Sequence, residues 1–507
     1  MKKIVTLLVV GLAVLEITLS AQPAGRSKKV YPEKQAVLNY LDTPEAFEKY
    51  GKLSDAIWSY PELGLEEFRS AGLLAKTLEE EGFAIEMGLA GMPTCFIATY
   101  GSGKPVIGIL MEYDALPMIS QKGRVPQQDP VVAGAPGHGC GHNMMGTASA
   151  AAAIAVKKVM ESHGLKGTIK VFGSPSEESL ISRPYMIRAG LFEGVDAVID
   201  NHANTGFGTT NGVYANAMYS TIFTFRGKAA HSAEEPWNGR SALDAVELMN
   251  IATNFLREHL YYTHRMHYVI LEGGEAPNVV PDKASVWYFV RETDERVQAM
   301  YEQVINCAKA AALATGTTLE EIRCLVAIHQ KHVNNSLANL IQKNIEMVGM
   351  PEWTADDEQF ALELQKNLGV NASGMPKKVD TLGPPTNNYP GGGSTDVGDV
   401  TLVAPTATVL FPGVVPGAIW HHWSLVSCTY GETAWKGLNA GAKVIAATAM
   451  DLLTQPAELK IVREEFENYS KEHPYVPFLP ADSEPPLDLN RELMLKYRPL
   501  MEPHMEK

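Results

Sequence analysis

Four short apolar runs constrain this chain most, because each is bounded by Gly or Pro or charge and ends in a loop crowded with groups that can bind or transfer protons. Val106 to Met111 precedes Glu112-Tyr113-Asp114, and Thr168 to Phe172 precedes Glu177-Glu178. Ala197 to Asp200 precedes His202, and Ala407 to Phe411 precedes a loop carrying His421 and His422. Continuous apolar runs of this length read as strands buried on both faces. Helical periods separate them from about residue 43 onward, the pattern of an α/β sheet covered by helices. In such sheets the ligand crevice lies beyond the carboxyl ends of the strands, so these distant residues are expected to converge.

Residues 216–329 follow another rhythm. Strand (Tyr219 to Arg226), helix (Ser241 to Leu260), strand (His267 to Leu271), strand (Ala284 to Glu292), helix (Glu295 to Ala314) and strand (Glu321 to Ile328) make a β-α-β-β-α-β, ferredoxin-like module. The expected architecture is a two-domain α/β chain. A mixed sheet with helices on both faces is built from 40–215 and 330–455, interrupted by an α+β module over 216–329. A helix and a Pro-rich tail follow over 456–507; Pro474, Pro477, Pro480, Pro485 and Pro486 prevent a continuing helix and lay the tail on the surface.

Composition narrows the class. With 507 residues, 45% hydrophobic and 20% charged, the chain has the makeup of an ordinary folded protein. A net charge of −15 repels phosphate backbones and sets nucleic acid aside. Five scattered cysteines, without a C-x-x-C pair, form neither a disulfide framework nor a zinc ribbon. Lys2 and Lys3, the apolar run Ile4 to Leu15, and Ser20-Ala21 follow the order of a secretory signal peptide over residues 1–21, too short to span a bilayer. A buried amino-terminal helix is the alternative. Export to the periplasm or outside the cell is expected, with no membrane insertion after processing and no lipid anchor, since no Cys lies near residue 21.

The strongest local signal is Gly137-His138-Gly139-Cys140-Gly141-His142-Asn143, running into an Ala-rich helix expected to start near Met144. A thiol at a helix amino terminus is expected to ionise more readily, which suits a metal ligand or a nucleophile. Taken alone, the segment is equally a glycine-rich turn around a free thiol. Glu177 and Glu178 supply what a hydrolytic metal site needs: one carboxylate to bind and one free to act as general base. Beside Cys140, His142, His202 and His421, the pair favours such a site.

These residues carry a resemblance. Glu-Tyr-Asp-Ala-Leu-Pro (112–117), the 137–143 segment, Glu177-Glu178, Asn201-His202, His231-Ser232-Ala233, Asn278-Val279-Val280-Pro281 and Gly-Gly-Gly-Ser-Thr-Asp-Val-Gly-Asp (391–399) resemble, in order and spacing, the metal-dependent amidohydrolases of the M20 peptidase family. Its aminobenzoyl-glutamate hydrolase B subunit subgroup is the most similar. The resemblance runs over roughly 40–455 and implies a two-metal catalytic domain with an inserted lid that also dimerises.

By that resemblance, Cys140, His142, Glu178, His202 and His421 are the metal ligands, for two divalent ions, zinc or manganese. It implies Glu177 as general base, Asp114 as the residue orienting a ligand histidine, and His231 as an oxyanion stabiliser reaching in from the partner of a homodimer. Asn278 and Arg240 are the substrate-holding residues it suggests, with a lid-surface role the alternative for Arg240. Glu112 stands where other family members carry a ligand histidine, and Asn143 where many carry Asp. The expected reaction is hydrolysis of an amide between an acyl or aroyl group and an amino acid. Alternatives are a dipeptidase or carboxypeptidase of the same family, a Cys140 nucleophile with His202 as base, and a non-catalytic solute-binding protein.

Overall fold

The computed structural model describes residues 30–387 and 391–506; the expected leader, 1–21, lies outside the described residues. In chain order the strands are β1 (Ala84–Met87), β2 (Phe96–Ser102), β3 (Val106–Met111), β4 (Gly167–Gly173), β5 (Ala197–Ala203), β6 (Gly212–Tyr214), β7 (Ala217–Arg226), β8 (Arg265–Glu272), β9 (Lys283–Glu292), β10 (Thr318–Ile328), β11 (Lys331–Val333) and β12 (Thr406–Phe411). The four apolar runs of the sequence are neighbours in one six-stranded sheet of order β1-β2-β4-β3-β5-β12. β3, β4, β5 and β12 run parallel, while β2 is antiparallel to β4 and β1 to β2. Parallel pairing brings the carboxyl ends of the four runs to the same edge.

Because side chains alternate along a strand, β3, β4 and β5 each feed two cores. Ile107, Ile109, Ile169, Val171, Ile199 and Val409 join the core that contains the helices His142–His163 and Glu432–Thr454. Leu110, Phe172 and Val198 join a second core with Tyr185, Met186 and Val400 from the helices Ser182–Arg188 and Val397–Val403. The sheet is mixed, with helices on both faces.

Two boundaries differ from expectation. β5 continues through Ala203, so His202 lies on the strand rather than in a loop after it. The Ala-rich helix starts at His142, two residues early, because Gly141 adopts φ 84° and turns the chain directly into the first helical residue.

β7 to β10 form a separate antiparallel sheet of order β10-β7-β9-β8, packed with the helices Ala242–Leu256 and Asp294–Thr315 around a core of their own. That is ferredoxin-like order. β6 and β11 pair where the chain leaves and re-enters the large sheet. After the helix Pro456–Glu472 the Pro-rich segment lies along the molecule, but the tail does more than wrap. Beyond Pro486 it forms a further helix, Arg491–Met501, whose Met494 and Met501 bury against Leu63 and Ala135. Among the described residues, no helix is long and apolar enough to cross a membrane.

Candidate functional site

At the carboxyl edge of the large sheet lies a cavity of about 430 Å³, lined among others by Glu112, Cys140, Glu177, Glu178, His202 and His421. They converge from the end of β5 and from four separate turns, Glu177 and Glu178 sharing one. Cys140 precedes the helix His142–His163 in a turn pressed against the end of β5: a Cβ on Gly141 would lie 2.8 Å from that of Ala203. Glu177 and Glu178 follow β4, and Glu112 follows β3. His421 has φ 58°, a left-handed backbone that costs a non-glycine residue energy.

The histidines are fixed in one tautomer by their outer nitrogens. His142 Nδ1 donates to Asp114 Oδ1 at 2.8 Å, and His202 Nδ1 donates to the Ala203 carbonyl at 2.7 Å. Both therefore turn Nε2 inward, the nitrogen an imidazole ligand in this tautomer offers a metal. His202 Nε2 lies 3.4 Å from Cys140 Sγ. His142 Nε2 lies 3.4 Å from Glu112 Oε2, 3.8 Å from Glu177 Oε2 and 3.9 Å from Glu178 Oε1. His421 Nε2 lies 3.4 Å from Glu178 Oε2, whereas His422 Nδ1 accepts from Ser424 N and caps the helix Trp423–Cys428.

Three groups of potential ligand atoms result, each within 4.8 Å: Cys140, His142 and His202; Cys140, Glu178 and His421; and Glu112, His142 and Glu177. Three atoms of these residues, Glu112 Oε2, His142 Nε2 and Glu178 Oε1, are buried without a hydrogen-bond partner. Leaving one such atom unpaired costs about 1–3 kcal/mol, and three around one space need a common partner. Burial and Glu112 push Glu177 well above the ordinary carboxylate range, and burial does the same to Glu178. The Cys140 thiol is likewise pushed up, by burial and by the charge of Glu178. Burial and the neighbouring carboxylate thus oppose the lowering expected from the helix terminus. A divalent cation answers all these demands, and carboxylate, imidazole and thiolate are donors that zinc accepts.

The residues expected to act from the inserted module stand apart. His231, Arg240 and Asn278 are all exposed on the ferredoxin-like module and do not line the cavity. Arg240 bonds the Trp237 and Gly239 carbonyls, and the Asn278 carbonyl accepts from Ser232 N.

Residues 108–451 match the profile described as Peptidase family M20/M25/M40. The chain belongs to peptidase family M20. It is 38% identical over 454 residues to the B subunit of p-aminobenzoyl-glutamate hydrolase from Escherichia coli K12, covering 84% of this chain and 94% of that protein. It is 30% identical over 437 residues to the Xaa-Arg dipeptidase of Mus musculus, covering 83% and 90%. The solved Bacillus subtilis YXEP protein, described as a dinuclear metal binding peptidase from the M20 family, superposes with TM-score 0.51 at 20% identity, covering 81% of this chain and 99% of that one. This M20 hydrolase thus shares the two-domain fold of its family.

Three parts of this M20 site escape motif reading. Arg183, fully buried, donates from Nη2 to Glu112 Oε1 at 2.6 Å and from Nη1 to Asp396 Oδ1, fixing Glu112 at the cluster. Lys331 Nζ pairs with buried Asp200 at 2.7 Å on the cavity wall. Arg291, from β9, also lines the cavity and donates to the Gly392 carbonyl. Asp396 at least sits inside the 391–399 motif; Arg183 has no local signal.

Proposed function

We propose that the chain hydrolyses the amide between an acyl or aroyl group and an amino acid, with two divalent ions, zinc or manganese, held by Cys140, His142, Glu178, His202 and His421. The observation that carries this reading is the set of three unpartnered buried atoms converging from β3, β4 and the His142–His163 helix. When bound, the ions supply positive charge that polarises a carbonyl and acidifies water. Glu177, whose carboxylate lines the cavity, takes a proton from the attacking water and returns it to the leaving amine. Asp114 keeps His142 in its ligating tautomer.

His231 completes the site from the lid of a second copy. Its Nδ1 accepts from the amides of Ala233 and Glu234 at 3.2 and 3.1 Å, so a neutral ring carries its proton on Nε2 as a donor for an oxyanion. Asn278 and Arg240, on the same lid, hold the carboxylate or carbonyl of the substrate. The homodimer is supported by edge strand β8, which exposes Val269 and Leu271 at 52% and 50%, an unpaired apolar edge of the kind a second chain covers. Export draws on the leader pattern of residues 1–21.

The substrate class draws on the E. coli relative named for p-aminobenzoyl-glutamate, and the dipeptidase alternative on the mouse relative. A screen of metal-reconstituted protein against N-acyl amino acids, N-aroyl amino acids and dipeptides tests both. Turnover of the first two classes above dipeptides is expected. Cleavage of dipeptides alone selects the alternative, and binding without turnover in every class contradicts hydrolysis.

A further inference from the structure

Glu177 follows a residue in an unfavourable conformation. Ser176 has φ 58° and is fully buried, a left-handed backbone that a serine adopts only when its surroundings enforce it. What enforces it is a carboxylate 109 positions earlier in the chain. Glu67, also fully buried, accepts the Ser176 amide on Oε1 at 2.7 Å and the Thr94 hydroxyl on Oε2 at 2.8 Å. Gly64, in the same loop, packs against Ser176 so closely that a Cβ there would lie 2.3 Å from Ser176 Oγ. The loop is itself tied to the strand end before the site, since Ala115 N donates to the Glu62 carbonyl at 2.8 Å.

On the other side of Glu177 the arrangement repeats. Glu178 N donates to Asp114 Oδ2 at 2.9 Å. Two buried carboxylates thus grip the backbone amides on either side of Glu177, one through Ser176 and one through Glu178. Asp114 also bonds His142, whereas the hydrogen bonds of Glu67 go to Ser176 and Thr94 and to none of the potential ligands.

We propose that Glu67 is a positioning residue for Glu177, holding the Ser176 turn in the left-handed conformation that aims the Glu177 carboxylate into the cavity. The proposal rests on the reading of Glu177 as general base. It is independent of which ligand set holds the ions, because Asp114 anchors Glu178 separately. Acceptor reach, not charge, is the property that matters: an amide at 67 can accept from Ser176 and donate to Thr94, whereas an aspartate keeps the charge but falls short by one methylene.

The test compares Glu67→Gln, Glu67→Asp and Glu67→Asp combined with Ser176→Gly in the full, metal-loaded chain. Glu67→Gln is expected to keep the wild-type kcat. Glu67→Asp should lower kcat by about 10²-fold, the size of a small misplacement of a reacting group, with KM and bound metal unchanged and faster hydrogen exchange at the Ser176 amide. Adding Ser176→Gly should recover about tenfold, because glycine takes the left-handed conformation without steric cost. A wild-type kcat in Glu67→Asp, equal damage in Glu67→Gln, or no recovery with Ser176→Gly each overturns the proposal. Absence of turnover in the wild-type chain would count against the proposed function instead, while Ser176 exchange still reports whether Glu67 holds the turn.

Discussion

At the scale of single residues, the site is a negative cluster held in place by buried positive charge. Arg183 bridges Glu112 and Asp396 with no solvent contact, and removing one partner of a buried ion pair strands the others. Arg183→Met is therefore expected to cost about 3–5 kcal/mol of stability, measured by denaturant unfolding of the metal-free protein; a loss below about 1 kcal/mol, typical of a surface pair, would contradict the arrangement. This residue also marks where sequence reading stops. Cys140 and His142 were legible in the glycine-rich segment before the Ala-rich helix, and Glu178 and His202 because each stands at or just beyond the end of an apolar run. Arg183 acts through Glu112, 71 positions away, and Glu67 through Ser176, so neither leaves a local trace. Between the doubled histidines, spacing to Lys436-Gly437 within the resemblance points to His421, and in the structure His421 faces Glu178 while His422 caps the helix Trp423–Cys428.

At the scale of elements, periodicity was sufficient for type and order but not for ends. All four apolar runs and the six elements of the inserted module form as their patterns predict, within a few residues. β5 runs on through His202 because its neighbour β12 continues to pair with it as far as Ala203, a tertiary effect invisible in an isolated segment. The tail helix Arg491–Met501 was missed because the prolines before it dominate the local signal, while Met494 and Met501 gain their partners only from Leu63 and Ala135. The exposed edge β8 carries the prediction that belongs at this scale. If the lids of two copies pair there and His231 acts in trans, mixing inactive His231→Ala with inactive Glu177→Gln under conditions that exchange protomers should restore activity, since one site of each heterodimer then holds both groups. Demonstrated heterodimers without recovered turnover would place His231 outside the reaction.

At the scale of the whole molecule, the ferredoxin-like module is fastened to the large domain by a clamp in which the tail takes part. Asp294, at the start of a helix of that module, faces His329 Nδ1 at 3.4 Å and His332 Nε2 at 3.0 Å. His329 also donates its backbone amide to Asp399, stacks on Phe478 at 3.8 Å and bonds the Val476 carbonyl; Tyr475 donates to Asp399, and Tyr469 meets His332. Burial pulls the His329 imidazolium down, but Asp294 and Asp399 outweigh it and raise its pKa. A raised histidine stabilises fully below its ordinary value of about 6.5 and loses that contribution as pH rises through the folded value. Asp399, pushed up to about 6 by burial, loses stability in the same direction. Asp294 opposes burial with its histidine hydrogen bonds and falls to about 2, so its contribution is lost only in strong acid. The gap in melting temperature between wild type and His329→Gln should accordingly be wide near pH 5.5 and narrow near pH 8.5; an equal gap at both would show that His329 contributes through packing alone.

The central claim, that the carboxyl edge of the sheet is a two-ion hydrolytic centre, is tested most directly by counting bound metal in defined variants by mass spectrometry after reconstitution and dialysis. The wild-type chain is expected to retain up to two divalent ions. Cys140→Ala and Glu178→Gln should retain fewer, while Glu177→Gln should retain the wild-type content and lose turnover, general acid–base catalysis being worth about 10²–10⁴-fold. Turnover that persists in chelator-treated protein with no bound metal, or full occupancy in both ligand variants, would contradict the account.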